Sequence, residues 1–188
     1  MRNRSENILL LSGSAIGLLG LALSAGCNNQ HPDEKDAVTN ALKSNNLGSL
    51  SVSQDRDKGV MTLTGDVQTD DQKKQAENLT KEAAPGYTVA DEIGVRPPGA
   101  ESQVSSVQSS LDSAIEDNYK ATIKAHKGLD DQSISYKAKN GTLVLTGSVK
   151  TPQQRKVAEA LAKKVPNVQQ VVNEIEVKSG KHSTNASS

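Results

Sequence analysis

The chain has no phenylalanine and no tryptophan, and its aromatic residues are three tyrosines. Any core must be built from Val, Ile, Leu and Ala. It must also be small, because aromatic rings supply the largest buried areas per residue. A succession of rings on which single-stranded bases stack is missing as well, which disfavours nucleic acid as a partner. Cys27 is the only cysteine, so no disulfide can form within the chain. The three histidines, His31, His126 and His182, are scattered. With one Cys they make no zinc-ligand spacing, and no metal site is expected. No glycine run carries the Gly-Lys-Ser ending of a phosphate loop. No catalytic set can be assembled from what remains, so the expectation is a protein that is not an enzyme and has no cofactor.

Long apolar runs are absent but for one. Residues 1–26 read as a secretory signal: Arg2 and Arg4 open it, Ile8 to Leu23 is apolar apart from Ser and Gly, and Ser24-Ala25-Gly26 precede Cys27. The run is short for a transmembrane helix of about 20 residues. Ala25-Gly26-Cys27 resembles a lipobox, in which the thiol receives diacylglycerol. It departs from that pattern in having Ser24, not Leu, three places before Cys27. The alternative is ordinary cleavage near Ala25 or Gly26 that leaves a free thiol. An exposed odd thiol is a liability in an oxidising compartment, which favours lipidation. Residues 27–32, including His31, read as a polar tether.

What is present is a duplication. Gly59 to Val95 and Gly141 to Val177 align without a gap at an offset of 82, with 16 of 37 positions identical. Each copy reads as one unit. A helix with Ala37, Val38, Ala41 and Leu42 on one face precedes alternating Leu50 and Val52. A turn at Asp57-Lys58-Gly59 leads to Val60–Thr64. Thr69-Asp70-Asp71-Gln72 is a capping box that starts a helix over 70–83. Pro85-Gly86 stops that helix, and Val89, Ile93 and Val95 form a third strand. Asp91 falls on the same apolar face, with no partner evident in the sequence.

The second copy repeats this with stronger signals. Asn140-Gly141 is a hairpin turn, and Thr151-Pro152-Gln153-Gln154 caps a helix with Pro in its preferred first position. Its first helix is longer, with Val104, Val107, Leu111, Ile115, Tyr119 and Ile123 in steps of three and four. The excess from Val104 to Leu111 either packs on the first copy or is a separate helix broken near Ser109-Ser110. Gly65 and Gly147 are expected to end their strands. The expected fold is α/β: two tandem α-β-β-α-β two-layer domains, each a mixed three-stranded sheet with two helices on one face. The domains are 33–95 and 104–178, with a Pro/Gly linker at 96–103 and a disordered tail at 179–188.

Charge is unevenly spread although the formal net charge is zero. Residues 33–95 carry 7 basic and 12 acidic side chains, whereas 120–164 carry 10 and 3. Lys120, Lys124 and Lys127 step along the first helix of the second copy beside Tyr119 and Ile123. Together these five are the candidate membrane-binding residues. The competing reading puts Tyr119 and Ile123 in the core and leaves the lysines as a solvated face. Lys150, Arg155, Lys156, Lys163 and Lys164 form a second basic cluster.

Gly-x-x-x-Leu-Thr-Gly-x-Val followed by a capped helix and Val-x-Asn-Glu-Ile-x-Val resembles the BON domain. The match is closest at Asn140-Gly141, Leu145-Thr146-Gly147 and Val171-Val172-Asn173-Glu174-Ile175. The first copy has Asp91 where the family has Asn. Two such domains behind Cys27 resemble the double-BON lipoproteins of Gram-negative envelopes. The resemblance implies an extracytoplasmic protein without enzymatic activity that binds anionic phospholipid or envelope proteins and supports envelope integrity or osmotic stress tolerance. Asn28 after Cys27, in place of Asp, implies anchoring in the outer membrane, facing the periplasm. The alternative is a structural scaffold that binds other envelope proteins without touching phospholipid.

Overall fold

A computed structural model describes residues 30–178. The signal segment 1–26, Cys27 and the tail 179–188 lie outside the described residues. The first copy runs α1 (Lys35–Ser44), β1 (Ser51–Asp55), β2 (Val60–Val67), α2 (Asp70–Ala83) and β3 (Thr88–Val95). The hairpin makes β1 and β2 antiparallel, with Ser51 opposite Thr64 and Asp55 opposite Val60. The α2 crossover makes β2 and β3 parallel, with Val60 beside Thr88 and Val67 beside Val95.

The second copy repeats this order with α3 (Glu101–Ala125), β4 (Ser133–Lys139), β5 (Thr142–Val149), α4 (Pro152–Ala162) and a third strand in two pieces, β6 (Gln170–Asn173) and β7 (Glu176–Val177). Both pieces pair parallel with β5. The chain is a mixed α/β protein of two tandem units, as the repeat predicts.

Local chemistry sets these boundaries. Thr69 and Thr151 each accept the backbone N–H of the Gln three residues on, and that Gln side chain reaches back to the cap. Asn140 and Gly141 both have positive φ, 48° and 80°, the backbone a two-residue hairpin turn demands. Gly147 does not end its strand, because β5 continues to Val149. It has φ 99°, and a Cβ there would run into the Ser133 carbonyl oxygen. Glycine is needed at that point because β4 begins against it.

The cores lie between helices and sheet. Val38, Leu42, Met61, Leu63, Ala76 and Ile93 pack in the first copy, and Ile115, Tyr119, Leu143, Leu145, Ala158 and Ile175 in the second. Asp91 is explained by its own backbone. Its Oδ1 accepts the Ile93 N–H at 3.0 Å, and Asn173 makes the same bond to Ile175 N at 3.2 Å. The Asp or Asn side chain substitutes for a strand partner at this point in both copies.

Helix α3 starts at Glu101, inside the segment expected as linker, where the Glu101 carboxylate accepts the Gly99 N–H. It does not break at Ser109-Ser110. Ser106, Ser110 and Ser113 each donate their hydroxyl to the carbonyl four residues back, so the serines are absorbed by the helix. In its first half, Val104 and Gln108 line a cleft of about 140 Å³ with Lys73 and Ile93 to Arg96 of the first copy, while Val107 stays exposed.

Candidate functional site

The helix-free faces of the two sheets meet. Val60, Ala90 and Val172 are buried between them, with Val144 against them. One pair of polar bonds beside this patch is matched between the copies. Lys58 Nζ lies 2.8 Å from Glu174 Oε2, and Asn140 Nδ2 donates to the Glu92 carbonyl at 2.7 Å. At the 82-residue offset, position 58 corresponds to 140 and position 92 to 174. A contact from 58 to 174 answered by one from 140 to 92 is what a two-fold axis produces. Ala90 and Val172 also correspond, and both sit in the shared patch.

Side chains of the second copy complete the edge of β3. Gln170 donates from Nε2 to the Val89 carbonyl at 2.7 Å and accepts the Asp91 N–H at 2.9 Å. Thr142 donates its hydroxyl to the Asp91 carbonyl, and Lys139 stands 3.6 Å from the Glu92 carboxylate. These groups occupy an edge that would otherwise offer free backbone donors and acceptors. Hydrogen bonding to Glu174 raises the Lys58 pKa. Burial raises that of Asp91, opposed by its bond from Ile93 N–H and by Lys73 at 3.8 Å. In the sequence Lys58 was visible only as a turn residue and Glu174 only within the Val171–Ile175 motif, and Thr142 and Gln170 carried no signal. The one available signal was that Glu92 and Glu174 are identical in the two copies.

The two-fold relation generates a second cleft, corresponding to the one under α3. It has about 640 Å³ and is lined by Asp55, Asp57, Lys58, Arg155 and Glu174 to Val177. Among the described residues no helical extension covers it, since α1 begins at Lys35. Among the described residues, no group of three or more His, Cys, Asp and Glu side chains is placed to hold a metal ion.

The five membrane candidates separate into two sets. Tyr119 and Ile123 are in the core of the second copy. The Tyr119 hydroxyl donates to the Ala158 carbonyl at 3.1 Å, its ring meets Tyr136 edge-on at 5.2 Å, and burial pushes its pKa upward. Neither side chain reaches a membrane, because the 3.6-residue period turns this row onto the sheet. Lys120, Lys124 and Lys127 are exposed. Lys120 and Lys124 share one outer face of α3, but Lys127 lies beyond its end at Ala125, past the extended His126 cap, so the expected helical row stops at Lys124. None of the three forms an ion pair or a side-chain hydrogen bond with another described residue.

The second basic cluster is largely engaged. Lys150 pairs with Asp131 at 2.7 Å, Lys163 with Glu159 at 2.6 Å, and Arg155 donates to the Asn173 carbonyl. The hydrogen bond from Lys150 lowers the Asp131 pKa, and that from Lys163 lowers the Glu159 pKa.

His31 is held against the first copy, where the sequence suggested free tether. Its N–H donates to the Arg56 carbonyl at 3.0 Å, and its own carbonyl accepts Arg56 Nε at 2.8 Å. The Pro32 carbonyl accepts Gln54 Nε2 at 2.9 Å and the Tyr87 hydroxyl at 2.6 Å. The imidazole ring lies 5.1 Å from the Tyr87 ring and directly over Gly59, where any Cβ would overlap it.

A family profile described as BON domain matches residues 34–97 and 111–179. Osmotically-inducible protein Y of Escherichia coli (strain K12) is 26% identical over 151 residues, covering 77% of this chain and 73% of that protein. An uncharacterized protein in the gshII 5'region of Anaplasma centrale is 27% identical over 123 residues, or 65% of this chain and 79% of that protein. Two structures of CdsD, a structural protein of the type III secretion system of Chlamydia trachomatis, align at a TM-score of 0.30 and 14% identity. The alignments cover 78% of this chain and 65% and 61% of those chains, so this chain spans less than two thirds of either. A likeness that slight bears on neither fold nor partners.

Proposed function

Because the chain belongs to the BON domain family, we propose that it is a non-enzymatic envelope protein, held at the outer membrane by acyl chains on Cys27, whose second repeat binds anionic phospholipid. The similarity to an osmotically inducible protein supports a role in envelope integrity under osmotic stress. Among the described residues no helix is long and apolar enough to cross a membrane. Two or more acyl chains provide a firm attachment without one.

The observation that carries the phospholipid reading is the row Lys120, Lys124 and Lys127. Lys120 and Lys124 stand on one outer face of α3 and Lys127 just past its end, three exposed ammonium groups with no partner among the described residues, whereas Lys150, Arg155 and Lys163 of the second basic cluster are engaged. Each basic residue near an anionic surface contributes about 1 kcal/mol. Three of them change partitioning on the order of 100-fold. That is weak for a soluble protein and sufficient for one already tethered.

Flotation of an unlipidated Cys27→Ser protein with phosphatidylglycerol vesicles at low salt tests the reading. Binding is expected, with a loss on the order of 100-fold when the three lysines become Gln and none to phosphatidylcholine vesicles. Failure to bind would leave the scaffold reading, in which the partner is another envelope protein. Incorporation of labelled palmitate into the native chain but not into the Cys27→Ser chain tests the anchor.

A further inference from the structure

The structure points to a fixed pose on the membrane. We propose that the docked strap Gln30–Pro32 presents the Asp55–Gly59 turn of the first repeat and the C-terminal end of α3 to one and the same bilayer surface. The inference rests on the acyl anchor at Cys27 proposed above.

The strap is held as firmly as an element. The His31 N–H donates to the Arg56 carbonyl and the Arg56 guanidinium Nε donates back to the His31 carbonyl, the Pro32 carbonyl takes two side-chain donors, and Gln30 Nε2 donates to Asp57 at 2.9 Å. Gly59 keeps φ 65° with the imidazole where a side chain would be. The second copy has no counterpart, since the position matching His31 is Ser113, inside α3. Three peptide units separate Cys27 from Gln30, a reach of roughly 11 Å at full extension. An acylated Cys27 therefore confines the Asp55–Gly59 turn to the membrane side of the protein.

The two-fold packing decides what else lies on that side. The same turn borders the cleft formed with Glu174 to Val177. Val177 pairs with Val149 at the end of β5, and Lys150 N–H bonds the Gln132 and Gln154 side chains. Gln154 in turn donates to the Gly128 carbonyl, three residues beyond the end of α3. The anchored end of the first copy is thus continuous with the end of the second copy that carries Lys124 and Lys127. The opposite end holds the Asn140-Gly141 turn and the start of α3. That start is about 35 Å from Ala125 along a helix of 25 residues. The partner is an anionic bilayer: Lys124 and Lys127 supply the complementary sign near the end of α3, while Arg56 and Lys58 offset Asp55 and Asp57 in the turn.

Acylation consumes the Cys27 thiol, so one introduced cysteine can carry a bimane label. Glu82 lies in the last turn of α2, close before Thr88, whose N–H bonds the Gly59 carbonyl. The full acylated chain, labelled singly at Glu82→Cys, Ala125→Cys or Ser102→Cys, is reconstituted on vesicles containing phosphatidylglycerol and a lipid with a spin-labelled headgroup. Quenching is expected to be severalfold greater at 82 and 125 than at 102. A Gln54→Ala/Tyr87→Phe chain, which loses both side-chain donors to Pro32, is expected to lose the contrast while still floating with vesicles. Equal or reversed quenching in membrane-bound protein with the strap intact would overturn the fixed pose and leave the anchor standing. A chain that does not float at all would overturn the anchor, and the pose with it.

Discussion

Lys58 and Glu174 are 116 positions apart in the chain, and the ammonium of one lies 2.8 Å from the carboxylate of the other. The corresponding positions, Asn140 and Glu92, are also joined, by an amide to a backbone carbonyl. The two copies therefore meet as identical subunits of a dimer do, with the covalent link running through α3.

The Lys58–Glu174 pair is expected to couple weakly. The Lys58 side chain is 34% exposed, so water screens the pair. A double-mutant cycle of Lys58→Met and Glu174→Gln, followed by urea unfolding, should give a coupling of about 0.5–1 kcal/mol.

Gln170→Ala should do more, because it strips two backbone groups of β3 of their partner. Loss of bonds to the Asp91 N–H and Val89 carbonyl is expected to cost about 1–3 kcal/mol. Hydrogen exchange at the Asp91 amide should quicken at least tenfold, with little change at Leu63 in the first core.

Asp91→Asn should stabilise the protein at neutral pH. Burial raises the Asp91 pKa in the folded state, so the folded form binds the proton more tightly than the unfolded chain. The cost of ionising it is absent well below the ordinary carboxylate range and is incurred as pH rises above about 4. In the second copy Asn173 Nδ2 donates to Glu159 at 3.0 Å, and Glu77 occupies the matching position in the first. The expected gain is about 0.5–1 kcal/mol at pH 7 and smaller at pH 4, read from urea midpoints at both.

Tyr119 and Lys120 are adjacent, yet their substitution should separate stability from binding. Tyr119→Ala empties a fully buried site and is expected to cost about 3–5 kcal/mol in thermal or urea unfolding. Lys120→Ala should stay within about 0.5 kcal/mol of the native chain. Its expected effect is on vesicle flotation.

Much of the local architecture was legible in the residues. Thr69 with Gln72, Thr151 with Gln154, and Asn140 with Gly141 act on neighbours in sequence, so their spacing carries the information. Asp91 was legible only as an anomaly. Its bond to Ile93 N–H needs the backbone path, and its junction with Gln170 spans 79 positions. The strap was illegible for a related reason. His31 and Pro32 have no periodicity, and Arg56, Gln54 and Tyr87 become their partners only after β1, β2 and β3 have paired.

By itself, the sequence determined a unit used twice, its element order, its helix caps, and cores of aliphatic residues. All of these depend on short-range patterns of polarity and turn chemistry. Tertiary structure decided which face of α3 Tyr119 and Ile123 occupy, that the bare sheet faces cover each other about a two-fold relation, and which lysines have no partner among the described residues. Those outcomes depend on distances between residues far apart in the chain, and no local pattern encodes such distances.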